Sequence, residues 1–477
     1  MMLFDLTKSH VLRMAGACLL LAVCVSCASR PPEIANPTDL PEAFSASGQA
    51  TNRPRWWESF RDPAVTGLVE SALDGNFSLK SAWDRLDQAR AVARKAGAER
   101  YPQLDGSASG GRTARETNLA GRDYEDEFTL GLTASYEVDV WGRVRATHDA
   151  AVLRREASRE DLRAAAISLS AQVASTWYRL VEQRSQLKLL DRQIATNERY
   201  LELVELRFRK GDVSAIDVLQ QRKLVESTRT EKARVQAELE NLRHLLAVLI
   251  GDPPTKTGLP EKVTFPELPE LPETGLPAVW MTQRPDIRSA YLRVRASDRD
   301  MATAIADQYP RFSITARGQS TAVEPGALLE EWVLSLAGNM TAPLIDGDRR
   351  NAEVDRSRAA ASESFHVYGQ TLLESFQEVE DALTNERQQQ KTVRGVRQQL
   401  DLSNRTVEQL LRRYRNGTVN FLRVLDELRT QQQLQRTLVG ARAQLVLDRI
   451  DLHRALGGGW DLDRPADVPA EFVRKEK

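Results

Sequence analysis

Apolar residues recur at helical spacing over two very long stretches of this chain. Between Gly142 and Gly251 there is no proline and only one glycine, Gly211. The pattern predicts a helix from Gly142 to Arg209, 68 residues or about 100 Å at 1.5 Å per residue, and a second running on to Gly251. Gly347 to Arg415 repeats this, with Gly369 and Gly395 tolerated inside, and a further helix follows. Ala, Leu, Arg, Glu and Gln dominate, all good helix formers. The apolar stripe, as in Leu187, Leu190, Ile194 and Leu201, is narrow and suits coiled-coil packing better than a thick globular core. Shorter helical stretches run from Leu79 to about Arg100 and from Pro285 to about Asp307.

Two segments change period. Phe128, Leu130, Leu132, Ala134, Tyr136 and Val138 alternate with Thr129, Gly131, Thr133, Ser135, Glu137 and Asp139. Trp332, Leu334, Leu336, Gly338, Met340 and Ala342 alternate with Val333, Ser335, Ala337, Asn339 and Thr341. Period two reads as strand, and Leu104 to Gly111 and Phe312 to Ser320 supply weaker partners of the same parity. A half-buried strand of a soluble sheet alternates this way, and so does a transmembrane barrel strand of about 9–11 residues with aromatics near its rims. Four strands cannot close a barrel, since the smallest single-chain barrels have about eight. A barrel reading therefore requires strands from several chains, and three copies would give twelve.

The chain is written twice. Phe208, Gly211, Val213, Leu219 and Gly251 recur 206 positions later as Tyr414, Gly417, Val419, Leu425 and Gly457. Tyr101-Pro102 returns as Tyr309-Pro310, and Gly142 as Gly347. Residues 56–250 form a first repeat of helix, β-hairpin (103–139) and long helical hairpin (142–250). Residues 285–457 form the second, with a β-hairpin at 311–344 and a helical hairpin at 347–456. Residues 251–284 are a Pro-rich linker, 27–55 an extended N-terminal linker and 458–477 a C-terminal tail.

Charge narrows the function classes. Sixty-six basic residues against 67 acidic ones leave a net charge of −1, which argues against nucleic acid as a partner. Past residue 27 no apolar run reaches the ~20 residues of a transmembrane helix, so any span must be a β-barrel. Residues 1–26 read as a lipoprotein signal peptide: Lys8, His10 and Arg13 precede an apolar stretch from Met14 to Val25, which leads to Cys27. Cys24 stands at position −3, where leucine is usual in a lipoprotein box, and an ordinary signal peptide is the alternative. Cys27 is the candidate lipidation site, and cleavage before it leaves one cysteine and no intramolecular disulfide. Ala28 rather than Asp follows, which by resemblance to bacterial lipoproteins directs the protein to the outer membrane.

The five histidines show no ligand spacing, and no P-loop, dinucleotide fingerprint or nucleophile elbow is present. No enzyme activity, metal site or cofactor is expected.

Several motifs in fixed order carry a resemblance. They are Trp56-Trp57-x-x-Phe60-x-Asp62-Pro63, the two Tyr-Pro pairs, Asp139-Val-Trp141-Gly142, Arg284-Pro285-Asp286-Ile287-Arg288, Pro343-Leu-Ile-Asp346-Gly347 and Phe376-Gln-Glu-Val379-Glu-Asp381-Ala-Leu383. From about Trp56 to Leu456 the chain resembles the outer-membrane efflux proteins, the TolC-like family, in the lipoprotein (NodT-like) branch of RND-type efflux systems. The resemblance implies an α+β membrane protein. A homotrimeric twelve-stranded barrel, four strands per chain, would sit in outer-membrane lipid and continue as a long periplasmic α-helical barrel. It implies a passive exit duct for small molecules, served by a periplasmic adaptor (membrane fusion) protein and an inner-membrane RND-type pump. Type I protein secretion and a non-pore periplasmic coiled-coil lipoprotein are the alternatives.

The resemblance also places functional residues. The turns at Gly211, Val213, Gly417 and Val419 become the adaptor-docking tip. Arg413, Tyr414, Leu422, Asp426 and Arg429 become the periplasmic gate. Leu422, Asp426 and Arg429 are spaced four and three apart and so share one helix face. Taken alone, Asp426 and Arg429 would read as a solvated surface pair of little energetic weight.

Overall fold

Proline and capping residues set where the helices begin. The structure is a computed structural model that describes residues 37–50, 55–117, 121–255, 258, 260–262, 264–457 and 462. The signal peptide, Cys27 and nearly all of the C-terminal tail lie outside the described residues. A short 3₁₀ turn at Trp56–Phe60 leads to α1 (Pro63–Gly75), with Pro63 in its first turn and the Asp62 carboxylate accepting the Ala64 N–H at 3.2 Å. Then come α2 (Phe77–Ala98), β1 (Gln103–Thr117), β2 (Gly121–Val138), α3 (Arg143–Arg209) and α4 (Ala215–Ile250). The linker contains a seven-residue helix, α5 (Pro277–Gln283). The second half has α6 (Pro285–Ala306), β3 (Arg311–Ala322), β4 (Val333–Thr341), α7 (Arg349–Arg415) and α8 (Phe421–Leu456). Both long helices, α3 and α7, have 67 residues, about 100 Å each.

The two halves interlock rather than stand apart. In one half of their length the helices lie in the order α2, α3, α6, α7; in the other the order is α4, α3, α8, α7. Thus α2 sits end to end on α4, and α6 on α8. Asn76 makes the first junction. Its side-chain oxygen caps α2 by accepting the Leu79 N–H at 3.0 Å, and its amide donates to Leu249 O, at the end of α4, at 2.9 Å. Gly75 and Gly251 meet backbone to backbone there: a Cβ on Gly75 would fall 2.3 Å from Ile250 O. Arg284 makes the second junction. Its guanidinium donates to Ala455 O at 2.8 Å, pairs with Asp286 and Glu378, and covers the end of α8.

The main core gathers at this middle level. Trp56, Trp57 and Phe60 pack with α1, α2, the middle of α3 and the ends of α4 and α8. Asp62 is buried at its heart, receiving the Trp177 and Tyr178 donors at 3.3 Å each and the Lys262 ammonium at 2.8 Å. The charged pair and its hydrogen bonds offset the cost of burying a carboxylate. Residues 48–50 run beside the linker, with Gly48 N–H donating to Pro272 O at 3.0 Å. Arginines on α3 and α8 clip the linker down: Arg184 donates to Pro260 O, and buried Arg449, paired with Glu386 at 2.6 Å, donates to Glu270 O at 3.0 Å.

The sheet is more continuous than two separate hairpins. Its order is β1-β2-β3-β4, antiparallel throughout, because β2 also pairs with β3 from Phe128↔Ala322 to Val138↔Phe312. The first hairpin is longer than the alternation indicated, since β1 has 15 residues and β2 18. Beyond Gly110↔Phe128 the ladder continues through Arg112↔Asp126 and Glu116↔Arg122 as a ribbon that β3 and β4 do not flank. Two ion pairs across the strands, Arg112–Asp126 and Arg122–Glu116, help to sustain pairing without an apolar face.

Candidate functional site: sheet face and helical tip

Strand register sorts the sheet into two faces. Residues directly opposite in an antiparallel ladder point the same way. One face carries Leu104, then Leu130, Leu132 and Tyr136, then Phe312 and Ile314, then Leu334, Leu336 and Met340. The other carries Asp105 and Ser107, then Thr129, Thr133 and Ser135, then Thr315, Arg317 and Gln319, then Ser335 and Asn339. The apolar face is bare in the single chain: Leu104, Leu334 and Leu336 are 69%, 68% and 77% exposed. Where α2 and α6 hand over to the strands, Trp141 stacks on Tyr309 with ring centroids 4.9 Å apart and donates to Pro310 O at 2.8 Å. Exposed Tyr101, Leu344 and Ile345 lie at the same end of the strands. A bare apolar face with an aromatic rim suits lipid. Among the described residues no helix is long and apolar enough to cross a membrane.

At the far ends of α3 and α7 the duplication is visible atom by atom. Asp212 N–H donates to Arg207 O at 2.9 Å, and Thr418 N–H to Arg413 O at 3.0 Å. Gly211 and Gly417 between them hold φ of +81° and +69°, the left-handed closure of a helix C-terminus. A Cβ at either would meet nothing within 4 Å, so backbone angle and not crowding demands glycine. Each turn then starts a helix with a capping side chain, Ser214 reciprocally with Asp217 and Asn420 alone.

The residues singled out from sequence separate into two groups. Tyr414 is buried in a small core with Val204, Val218, Phe421, Val424 and Leu425, and Val213 and Val419 pack half-buried against it. The Arg207 guanidinium lies 4.5 Å from the Tyr414 ring centroid and reaches Tyr414 O at 3.5 Å, so the first helical hairpin holds the second. The Tyr414 hydroxyl is buried without a hydrogen-bond partner. Leu422 and Asp426 are exposed on α8 with Arg429 beside them, and Asp426 lies 4.0 Å from Arg429 of its own helix. Arg413 is exposed on α7. Arg207 escaped the reading of the sequence, although it stands 206 positions before Arg413 and the repeat could have flagged it.

A polar seam above this core also went unread. Asn197 of α3 and Gln432 of α8, both buried, exchange side-chain amide hydrogen bonds at 3.2 and 2.6 Å. Thr228 and Gln221 of α4 complete the cluster. Paired buried amides of this kind fix register between coiled-coil helices. Among the described residues no group of three His, Cys, Asp or Glu side chains converges to hold a metal ion.

With both ends in view, comparison with known proteins is decisive. The sequence profile of the outer membrane efflux protein family matches residues 68–252 and 277–458. The chain belongs to the outer membrane efflux protein family. The pyoverdine export outer membrane protein OpmQ of Pseudomonas aeruginosa is 30% identical over 464 residues, 95% of this chain and 98% of that protein. The cation efflux system protein CusC of Escherichia coli O6:H1 is 29% identical over 463 residues, 93% of this chain and 99% of that one. The solved outer-membrane channel OprN superposes with a TM-score of 0.84 at 26% identity, covering 90% of this chain and 99% of its own. As a member of this family the chain is an outer-membrane efflux channel. Three copies join their sheets into a twelve-stranded barrel in the outer membrane, continued by a helical barrel in the periplasm. The homotrimer works with a periplasmic adaptor and an inner-membrane RND-type pump.

Proposed function

We propose that the paired turns at Gly211–Val213 and Gly417–Val419 form the tip that docks the adaptor, and that the same tip holds the gate. Tyr414, clamped by Arg207, ties the second helical hairpin to the first, while Arg413 of α7 and Leu422, Asp426 and Arg429 of α8 are turned to the axis. The single observation carrying this reading is the shared small core at the ends of two helices, each about 100 Å long. Its ties are weak enough to be undone by a partner. An exposed pair such as Asp426–Arg429 contributes on the order of 1 kcal/mol or less, and a cation–π contact about 0.5–2 kcal/mol. Cys27 is the acylated anchor in this reading, and residues 56–250 and 285–457 are two copies of one structural unit. The relatives named for pyoverdine export and cation efflux carry different cargoes. The cargo of this chain is accordingly a small molecule chosen by its pump.

The gate is tested by single-channel recording of purified trimers. Asp426→Ala removes one carboxylate per chain, and Arg207→Ala frees Tyr414. Each is expected to raise conductance severalfold and to let a large antibiotic into cells, with trimer yield unchanged. Conductance equal to the parent in both variants would make Asp426 a solvated surface residue and Arg207 a packing residue only.

A further inference from the structure

Below the β1–β2 ribbon the polar face of the sheet carries few charges. They are Asp105, Glu137, Arg311 and Arg317. Two are already neutralised: Glu137 binds Arg143 through both carboxylate oxygens at 2.9 and 2.8 Å, and Arg311 reaches Asp307 at 2.6 Å. Of these four, Asp105 and Arg317 have no partner among the described residues, and both are exposed. They stand in one row of the ladder, since Asp105 pairs with Thr133, Thr133 with Arg317 and Arg317 with Ser335.

We propose that Asp105 and Arg317 form a charge-balanced belt inside the barrel that lets cargo of either sign pass. This rests on the reading of the polar face as the lumen of a twelve-stranded trimer. Asp105 is on the first strand of each chain and Arg317 on the third. Around three chains the signs therefore alternate at every second strand, three carboxylates against three guanidiniums. Two strand spacings separate neighbours in a row by about 10 Å. With strands tilted by about 40°, that step displaces Arg317 about 6 Å along the axis from Asp105. This is inside the Debye length of about 8 Å at physiological salt, so a passing ion feels both rings together. Glu330 and Glu331 line the same hollow as Arg317, and Glu127 follows Thr129 two residues nearer the ribbon on the same face. Those carboxylates lie outside the ladder row that Asp105 and Arg317 share.

The test places a reporter thiol at Thr133, between the two charges, and treats intact cells from outside with a cationic and an anionic methanethiosulfonate. This readout does not pass through the tip, so a closed gate leaves it unaffected. In the Thr133→Cys trimer the ratio of cationic to anionic modification rates should stay near the ratio for free cysteine. Adding Arg317→Gln should raise it about fivefold and adding Asp105→Asn should lower it by a similar factor, as expected for a cleft of uniform sign. The triple variant should return toward the starting ratio. An unchanged ratio in both charge variants overturns the belt while leaving the channel reading intact. A thiol at 133 that reacts with neither reagent, in trimers of normal yield, overturns the lumen assignment itself.

Discussion

His453 shows what burial does to one side chain. It lies under the Trp56 ring, stacked at 5.5 Å, and neither ring nitrogen has a hydrogen-bond partner. Desolvation, helped by the nearby Arg449 guanidinium, depresses its pKa to about 3. The unfolded chain takes up a proton near pH 6.5 and the folded chain does not, so below that pH the unfolded state binds more protons. Stability is therefore lost as pH falls from about 6.5 toward 3, by up to roughly 5 kcal/mol per chain. Carboxylates titrate over the same range, so the informative quantity is a difference. His453→Phe should flatten the fall in melting temperature of detergent-solubilised trimers between pH 7 and 4 relative to the parent. Identical slopes would mean that the ring is hydrated. Sequence alone gave no access to this residue. Its lack of ligand spacing was visible, but its burial depends on Trp56, nearly 400 positions away in the chain.

At the scale of elements, glycine spacing was the most informative feature of the sequence. Gly142, Gly211, Gly347 and Gly417 bracket helices whose observed ends fall within two residues of the expected ones. Glycine marks those ends because each holds a positive φ there. The strands read well only where lipid would dictate alternation. The ribbon of 111–117 with 121–127 falls inside the hairpin expected at 103–139 but shows no alternation, because water on both sides imposes no period on residues such as Arg112, Glu116 and Asp126. Arg207 and the Asn197–Gln432 seam were missed for a related reason. Their partners are 207 and 235 residues distant, and polar residues on a coiled-coil stripe look solvated until the facing helix is placed. The turns carry a prediction of their own. Gly417→Leu must hold a left-handed backbone, which costs about 1–2 kcal/mol, yet it meets no neighbour within 4 Å. Trimers should form at near-normal yield while export of a pump substrate drops severalfold. Normal export, or loss of the trimer, would remove Gly417 from the docking surface.

At the scale of the whole molecule, the two exposed sheet edges and the bare apolar face make the isolated chain incomplete. Three chains remove every edge at once, which is how barrels escape the aggregation risk of open sheets. An acylated Cys27 would keep each chain at the membrane while its partners arrive. Cys27→Ser should abolish palmitate labelling and leave an uncleaved precursor, and labelling that persists in that variant would refute the anchor. The β1–β2 ribbon has a different consequence. Seven residues per strand at about 3.4 Å each carry it roughly 24 Å past the last row flanked by β3. Cargo, pump and adaptor all act from the inside, whereas anything approaching the cell from without meets this ribbon first. Pressure from phages or antibodies could thus remodel the protein's outward appearance at a place where no duct wall, gate or core has to change with it.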